Sequence, residues 1–398
     1  MASDKAFWKF KDPEKYYDVV IIGGGLHGLA TAYFLAKEHH VKRVAVIEKN
    51  YFGYGGSGRN TEVFRVNQRA PEILPFYTLS KDLWLELSSE LEWNLMVWLK
   101  GLVGLAHTVA EFNGMRMRHE TQILMGIENY LLTPDEIKKL VPVLDISRNT
   151  AKPIVGGYFN PPGGQVHHDA AVWGFLKGCH KLGVDLCPGT QVVGIDVQGG
   201  KVAGVRTDKG STAASAVHMA PGGWSSEVAR MAGLELPLFT QPLQAWVTEG
   251  IKPLLNHVVI DEGYFCYVQQ TVKGDLIMGA HLDPWQTYKS YTTYEFAQEL
   301  AYAMLQLFPD IAHLKMMRAW SGLCDMTPDG APVMGRTDVE NLYIDAGWGY
   351  FGFKASPGCG KTMAEYIATK KCPELISHLR INRFYEGHMI PETYIART

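Results

Sequence analysis

Three glycines and one acid carry the spacing of a dinucleotide cradle. Gly23, Gly25 and Gly28 make GxGxxG inside Gly23-Gly24-Gly25-Leu26-His27-Gly28, and Glu48 follows 20 residues after the last of them. In that pattern the first glycine turns the chain and the second lets backbone approach a pyrophosphate. The third packs helix on strand, and the acid accepts from a ribose hydroxyl. An acid at position 48 suits FAD or NAD rather than NADP. Beyond it, Tyr51-Phe-Gly-Tyr-Gly-Gly-Ser57-Gly58-Arg59-Asn60 is a flexible loop whose backbone donors fall where a second diphosphate contact belongs. Lys49, Ser57, Arg59, Asn60, Thr61 and, further along, Val193 are the accompanying cofactor contacts expected.

A second glycine-rich stretch, Gly347 to Gly360, follows a strand and is expected to precede a helix starting near Gly360. Its amides, with Gly349 and Gly352 as the expected contacts, suit a flavin ring or an anion. Ala355-Ser-Pro-Gly-Cys-Gly-Lys361-Thr362 also resembles a P-loop with Ala for its first Gly. Gly347 to Lys354 separate it from the strand, however, and the N-terminal fingerprint already supplies a nucleotide site.

The elements that must hold these residues follow from periodicity. Asp18 to Ile22 and Val44 to Glu48 read as buried strands flanking a helix, a βαβ unit that implies a parallel sheet. The uncharged run Val19 to Ala36 approaches membrane-spanning length, but its glycines and His27 divide it into strand, turn and helix. Helices are expected over Phe76 to Glu90, after Asp169, and from the capping boxes Thr133-Pro-Asp-Glu136 and Thr292-Thr-Tyr-Glu295. Gln191 to Met219 reads as an antiparallel meander turning at Gly199-Gly200 and Lys209-Gly210. Runs at 244–248, 257–260, 264–269 and 275–279 read as a second, antiparallel sheet. This interruption favours FAD, since a nicotinamide domain continues its strand–helix alternation.

The fold expected is therefore mixed α/β: a Rossmann-type cofactor domain interleaved with an antiparallel-sheet substrate domain. Residues 1–92, 148–233 and 320–398 are assigned to the first, and 93–147 and 234–319 to the second. The 398 residues amount to about 2.7 average domains. Hydrophobic residues at 46% and charged residues at 20% are ordinary for a globular chain. Lys plus Arg, 38, nearly balance Asp plus Glu, 41, so no global field attracts nucleic acid or an anionic membrane. Arg116, Arg118 and His119 make a basic spot read as a solvated loop. Six scattered cysteines without CxxC suggest neither a metal site nor a disulfide framework. They fit a reducing compartment. Met1 to Tyr17 lacks an apolar signal core, so a cytoplasmic location is expected.

Taken in order, Tyr17 to Gly25, then Gly58-Arg-Asn-Thr-Glu-Val-Phe-Arg65, then Gly349-Tyr-Phe-Gly-Phe-Lys354-Ala-Ser-Pro-Gly resemble the FAD-dependent amine oxidoreductases related to sarcosine oxidase. The likeness covers nearly the whole chain and is strongest to the β subunits of the heterotetrameric members, including Gly164-Gln-Val-His-His-Asp169 and Phe384 to His388. It implies a glutathione-reductase-like FAD domain and oxidation of the C–N bond of an N-methyl amino acid such as sarcosine. Alternatives are an N-methylglutamate or D-amino-acid dehydrogenase subunit, or a non-catalytic flavin electron-transfer subunit. It further implies a carboxylate clamp at Arg65 and Lys354 and an active-site histidine at His281. Ile277 stands where monomeric relatives keep an oxygen-activating lysine, and Gly322 where they attach FAD through cysteine. Both departures imply noncovalent FAD and another exit for electrons. In the heterotetrameric relatives that exit is an FMN attached to a β-subunit histidine at the α-subunit interface, here matched by His168, with His167 beside it.

Overall fold

The computed structural model describes residues 8–147 and 150–390; the first seven residues of the leading stretch and the expected boundary at 148 lie outside these. The run from Val19 to Ala36 divides as expected, into the strand Tyr16–Ile22, a glycine turn and the helix Leu26–Lys37. Among the described residues no helix is long and apolar enough to cross a membrane.

The fully buried Val20 and Ile21 place Tyr16–Ile22 inside a sheet. It pairs in parallel with Val44–Ile47 on one side and Gly210–Met219 on the other. The complete order is Val192–Gln198, Lys201–Thr207, Gly210–Met219, Tyr16–Ile22, Val44–Ile47, Asp185–Cys187, with Leu342–Ala346 and Val333–Arg336 attached through Gly210–Met219. The expected meander is present, but its third strand runs on into the parallel sheet, Val217 opposite Val20. A partner so distant in sequence leaves no local turn signal. The helices Leu26–Lys37, Leu74–Glu90, His168–Lys181 and Gly352–Thr369 contribute to one apolar core on this sheet.

The second sheet runs Met316–Met326, Phe239–Gly250, Asp275–Leu282, Cys266–Gln270, Val258–Asp261, Leu102–Ala106, Gly156–Asn160, Tyr130–Leu132. It is antiparallel except where Val258–Asp261 meets Leu102–Ala106 in parallel. The helix Tyr294–Leu307 lays Phe296, Leu300, Met304 and Leu307 on it. Its cap is Thr293, whose hydroxyl accepts from the Phe296 amide, one residue later than the box read from Thr292 and Glu295. Thr293 is chosen because its own amide is fixed by Gln244 Oε1 at 2.7 Å. The Thr133 box forms as read.

The last long helix departs most from expectation. It begins at Gly352, not near Gly360, and carries Pro357 inside it. Pro357 has no N–H for the Phe353 carbonyl, and the Ser356 hydroxyl donates to that carbonyl instead. The next rung is filled from outside. Ser80 Oγ donates to the Lys354 carbonyl at 2.8 Å and accepts from the Gly358 amide at 3.2 Å, while Trp84 Nε1 donates to the same carbonyl at 3.1 Å. Gly360 lets this helix approach Leu26–Lys37, since a Cβ there would stand 2.3 Å from the Ala30 Cβ. With these residues helical, their amides serve the helix and the P-loop reading fails. Lys361 pairs instead with Glu38 on the surface at 2.5 Å.

Candidate active site

The fingerprint glycines connect the first strand to the first helix. A Cβ at Gly28 would fall 2.1 Å from the Gly23 carbonyl oxygen, which accounts for the third glycine of the pattern. Gly25 caps the helix in extended conformation without a side-chain cap, and no acid occupies the first turn. Such a helix start suits a pyrophosphate. The Ser57 hydroxyl accepts from the Leu26 amide at 2.8 Å, tying the following loop to it. Glu48 accepts from the Gly24 and Asn50 amides, each at 2.8 Å, and burial raises its pKa.

From this point a cavity of about 780 Å³ extends to the second sheet. That is within the range of cofactor and ligand pockets. Gly23, Gly25, Glu48, Lys49, Ser57, Arg59, Asn60, Thr61, Gly349 and Gly352 all line it, as do Arg65, His281 and Lys354. Gly28 packs beneath the turn. Val193 does not line the cavity: its side chain is half exposed, and Thr190, Gln191 and Val192 form the wall instead.

Arg65 and Lys354 arrive from opposite ends of the sequence. The Arg65 guanidinium lies 5.2 Å and the Lys354 ammonium 5.3 Å from the centroid of the Phe351 ring. Lys354 is in the first turn of its helix, and its ammonium donates to the Tyr350 carbonyl at 2.9 Å. Burial, reinforced by Arg65, pushes that ammonium well below the ordinary lysine range. A carboxylate bound here would restore the charge. His281 Nε2 lies 3.1 Å from Glu299 Oε2. Cys324 lines the cavity beside Gly322, and burial pushes its thiol up to about 12.

Some residues of the cavity wall were not anticipated. His27, inside the fingerprint, has Nδ1 2.9 Å from Asp345 Oδ2 and Nε2 2.9 Å from the Gly352 carbonyl. The Gly352 carbonyl and the Asp345 carboxylate are both acceptors, an arrangement that favours the doubly protonated ring. Burial works against that charge, but Asp345 and the Gly352 carbonyl outweigh it and raise the pKa. Asp325 holds the glycine-rich loop through the Gly347 amide at 2.6 Å, and burial lifts its pKa to about 6. Arg118 corrects the solvated basic spot: it is buried on the helix Val109–Leu124, lines the cavity, and has Nη2 3.0 Å from Glu262 Oε1. Its spacing with buried Met115 and Gln122 marks the inner face of that helix. His168 lies elsewhere, opening the helix His168–Lys181 with Nδ1 3.0 Å from Glu62 Oε1.

A Rossmann-type cradle continuous with a pocket that reaches the second sheet is the arrangement of a dinucleotide-dependent oxidoreductase. The chain belongs to the FAD dependent oxidoreductase family, whose profile matches residues 18–366. It is 40% identical to the sarcosine oxidase subunit beta of Rhizobium meliloti, over 97% of this chain and 92% of that one. It is 38% identical to the subunit of the same name from Rhodobacter capsulatus, over 98% and 94%. Among solved structures it resembles L-proline dehydrogenase from P. horikoshii, with a TM-score of 0.88 and 29% identity, covering 94% of this chain and 99% of that one. It is thus an FAD-dependent oxidoreductase acting on C–N bonds, with the mixed α/β fold expected.

Proposed function

We propose that this chain is the catalytic, FAD-bearing subunit of a hetero-oligomeric enzyme that oxidises the C–N bond of a secondary amino acid, an N-methyl amino acid such as sarcosine. The observation that carries the reading is the placement of Arg65 and Lys354 beside one aromatic ring, in the cavity that begins at the dinucleotide fingerprint. Two cations fix a carboxylate and thereby the adjacent C–N bond. FAD, when bound, supplies the two-electron acceptor. Gly23, Gly25, Glu48, Lys49 and the loop from Ser57 to Thr61 hold it, and His281 stands at the substrate end. The FAD is noncovalent, because the Cys324 thiol is held protonated and the position matching the family's attachment cysteine is Gly322. A pocket with this charge pattern also argues against a purely electron-carrying subunit.

In this reading electrons pass to an FMN attached at His168. That ring is partly exposed and rests against buried Glu62, outside the FAD cavity lining. Beside it, Trp98 and Leu99 expose 40% and 48% of their surface on a strand paired with Gly164–Gln165. Such an apolar edge suits an α-type subunit. Names of the relatives as subunits support a partner, and a cytoplasmic location fits the same reading. The test has two parts. Purified assembly is offered sarcosine and other N-methyl and primary amines with an artificial electron acceptor; failure to oxidise any of them defeats the catalytic reading. The denatured chain is weighed intact: it should exceed its sequence mass by one FMN and revert in His168→Ala, and an unmodified wild-type mass refutes the linkage.

A further inference from the structure

We propose that Glu62 is a positioning residue for the second flavin: its carboxylate holds the inward edge of the His168 ring, so that Nε2 carries the FMN and Nδ1 keeps a proton in the linked state. This rests on the FMN attachment read above and deepens it. Glu62 is only 2% exposed, yet its φ of 64° is in the left-handed region, which is uncommon for a residue other than glycine. Such a conformation persists where the surrounding structure over-determines it. Here the Glu62 amide donates to Asn60 Oδ1 at 2.8 Å, and the Glu62 carbonyl accepts from the Val166 amide at 2.9 Å. The turn gives adjacent residues opposite tasks: Thr61 lines the FAD cavity, while Glu62 reaches the start of the helix His168–Lys181.

Glu62 Oε2 accepts from Gln165 Nε2 at 2.6 Å, and Oε1 lies 3.0 Å from His168 Nδ1 and 3.7 Å from His167 Nε2. Burial acts to raise the Glu62 pKa, but His168, His167 and Gln165 outweigh it and hold the group below the ordinary carboxylate range. His167 is occupied as the helix cap: its Nδ1 accepts from the Ala170 amide at 3.3 Å, and burial lowers its pKa, so it stays neutral. His168 Nδ1 is shut off from solvent with no aligned hydrogen bond, so its contact with Glu62 is one of charge. The partly exposed side of the ring carries Nε2. A lone pair on Nδ1 facing a carboxylate is repelled, whereas a proton there is attracted. The unlinked ring is thus held as the Nδ1–H tautomer, its lone pair on the outward Nε2.

Making the link breaks one methyl C–H bond of the flavin ring and forms the Nε2–C bond; the hydrogen leaves as a proton, and the electron pair passes to a two-electron acceptor such as dioxygen. Nδ1 is then the one ring atom able to hold a proton, and the linked imidazole is a cation paired with Glu62. Asp169 Oδ1, 3.5 Å from Nε2, adds to that field. The helix N-terminus and the ammoniums of Lys100 and Lys273 oppose it. Lys100 is bonded to the Gln270 carbonyl at 2.6 Å, and Lys273 is exposed and screened, so the buried contact with Glu62 prevails.

The experiment uses the purified holo-assembly. NMR of the flavin peptide released by proteolysis identifies the linked nitrogen, and a pH titration of FMN fluorescence, in the native assembly and in that peptide, which lacks Glu62, reads the protonation of the ring. The link should be at Nε2, and the native ring should titrate about one pH unit or more above the peptide. Glu62→Gln should abolish that upward shift and Glu62→Asp retain it, with FAD content kept in both; a role in shape alone would not separate the two. A Glu62→Gln chain that folds with FAD but carries no FMN, with FMN restored in Glu62→Asp, supports the positioning role equally. Linkage at Nδ1, a native titration at or below that of the peptide, or a shift retained in Glu62→Gln overturns the proposal. If Glu62→Gln does not fold, the wild-type comparison with the peptide decides alone. An unmodified wild-type mass refutes the FMN reading and this proposal with it, whereas a modified chain with an unshifted ring refutes this proposal only.

Discussion

Lys354→Met is the most informative single change. The ammonium is buried, donates to the Tyr350 carbonyl, and lies beside Arg65, so its charged form is disfavoured in the free protein. A carboxylate ligand favours the charged form and raises the pKa again. In the window between the free and bound pKa values, binding therefore takes up a proton, and affinity falls as pH rises through it. The limiting slope is a tenfold loss per pH unit. The linkage to folding has the opposite sign: because the unfolded chain holds the proton more tightly, this lysine's contribution to stability grows as pH rises from its folded value towards the ordinary lysine range. Methionine keeps most of the apolar stem and removes a charge that is costly to bury, so the fold and FAD content should survive. Loss of one desolvated charge contact to the substrate costs about 2–4 kcal/mol, roughly 30- to 1,000-fold in kcat/KM. Calorimetry with a carboxylate inhibitor, in buffers of different ionisation enthalpy, measures the proton directly. If Lys354→Met binds that inhibitor as tightly as wild type with the same pH profile, the clamp has been misplaced.

His27→Leu should destabilise the FAD-free protein by about 3 kcal/mol, because it removes the counter-charge of the buried Asp345 carboxylate and leaves it only the donors of Trp348 and Cys359; chemical denaturation checks this, and a loss under 1 kcal/mol would contradict the ion pair. His218 is fully buried, and its pKa is lowered to about 4 by burial. The unfolded chain therefore binds the extra proton, and stability should fall by on the order of 3 kcal/mol as pH drops from above 6.5 towards 4. His218→Phe should flatten that part of the stability profile, and an unchanged slope would show that other groups set it.

The cofactor end was legible because its signals are local. Gly23 to Gly28 and Glu48 occupy one βαβ unit, in which backbone needs dictate the glycines and the ribose contact dictates the acid. Arg65 and Lys354 came only from likeness to a family, since nothing near either residue in sequence says that the other is close. Arg118 was misread for a related reason: charges beside it are solvated, while the helical spacing with Met115 and Gln122 that turns it inward was not applied. The start of the last helix was missed because Pro357 and the glycines at 352, 358 and 360 are local breakers. What overrides them is tertiary. Ser80 and Trp84 supply hydrogen bonds to the interrupted ladder, and close packing on Ala30 uses Gly360.

That misread helix also explains how the clamp is held. Starting at Gly352 puts Lys354 in a first helical turn, where the backbone already presents partial positive charge and the side chain is carried on a rigid element. A lysine on a flexible glycine loop would pay ordering entropy each time substrate bound. Here Ser80, Trp84 and Tyr350 hold the Lys354 backbone and ammonium before substrate arrives. Arg65 is held from the other side, by a segment whose alternate residues anchor in the core. The clamp is therefore preorganised by two elements that share the cavity but not the sequence neighbourhood. In the amine-oxidising reading proposed above, that rigidity makes the position of the substrate's carboxylate relative to its C–N bond the property most easily discriminated.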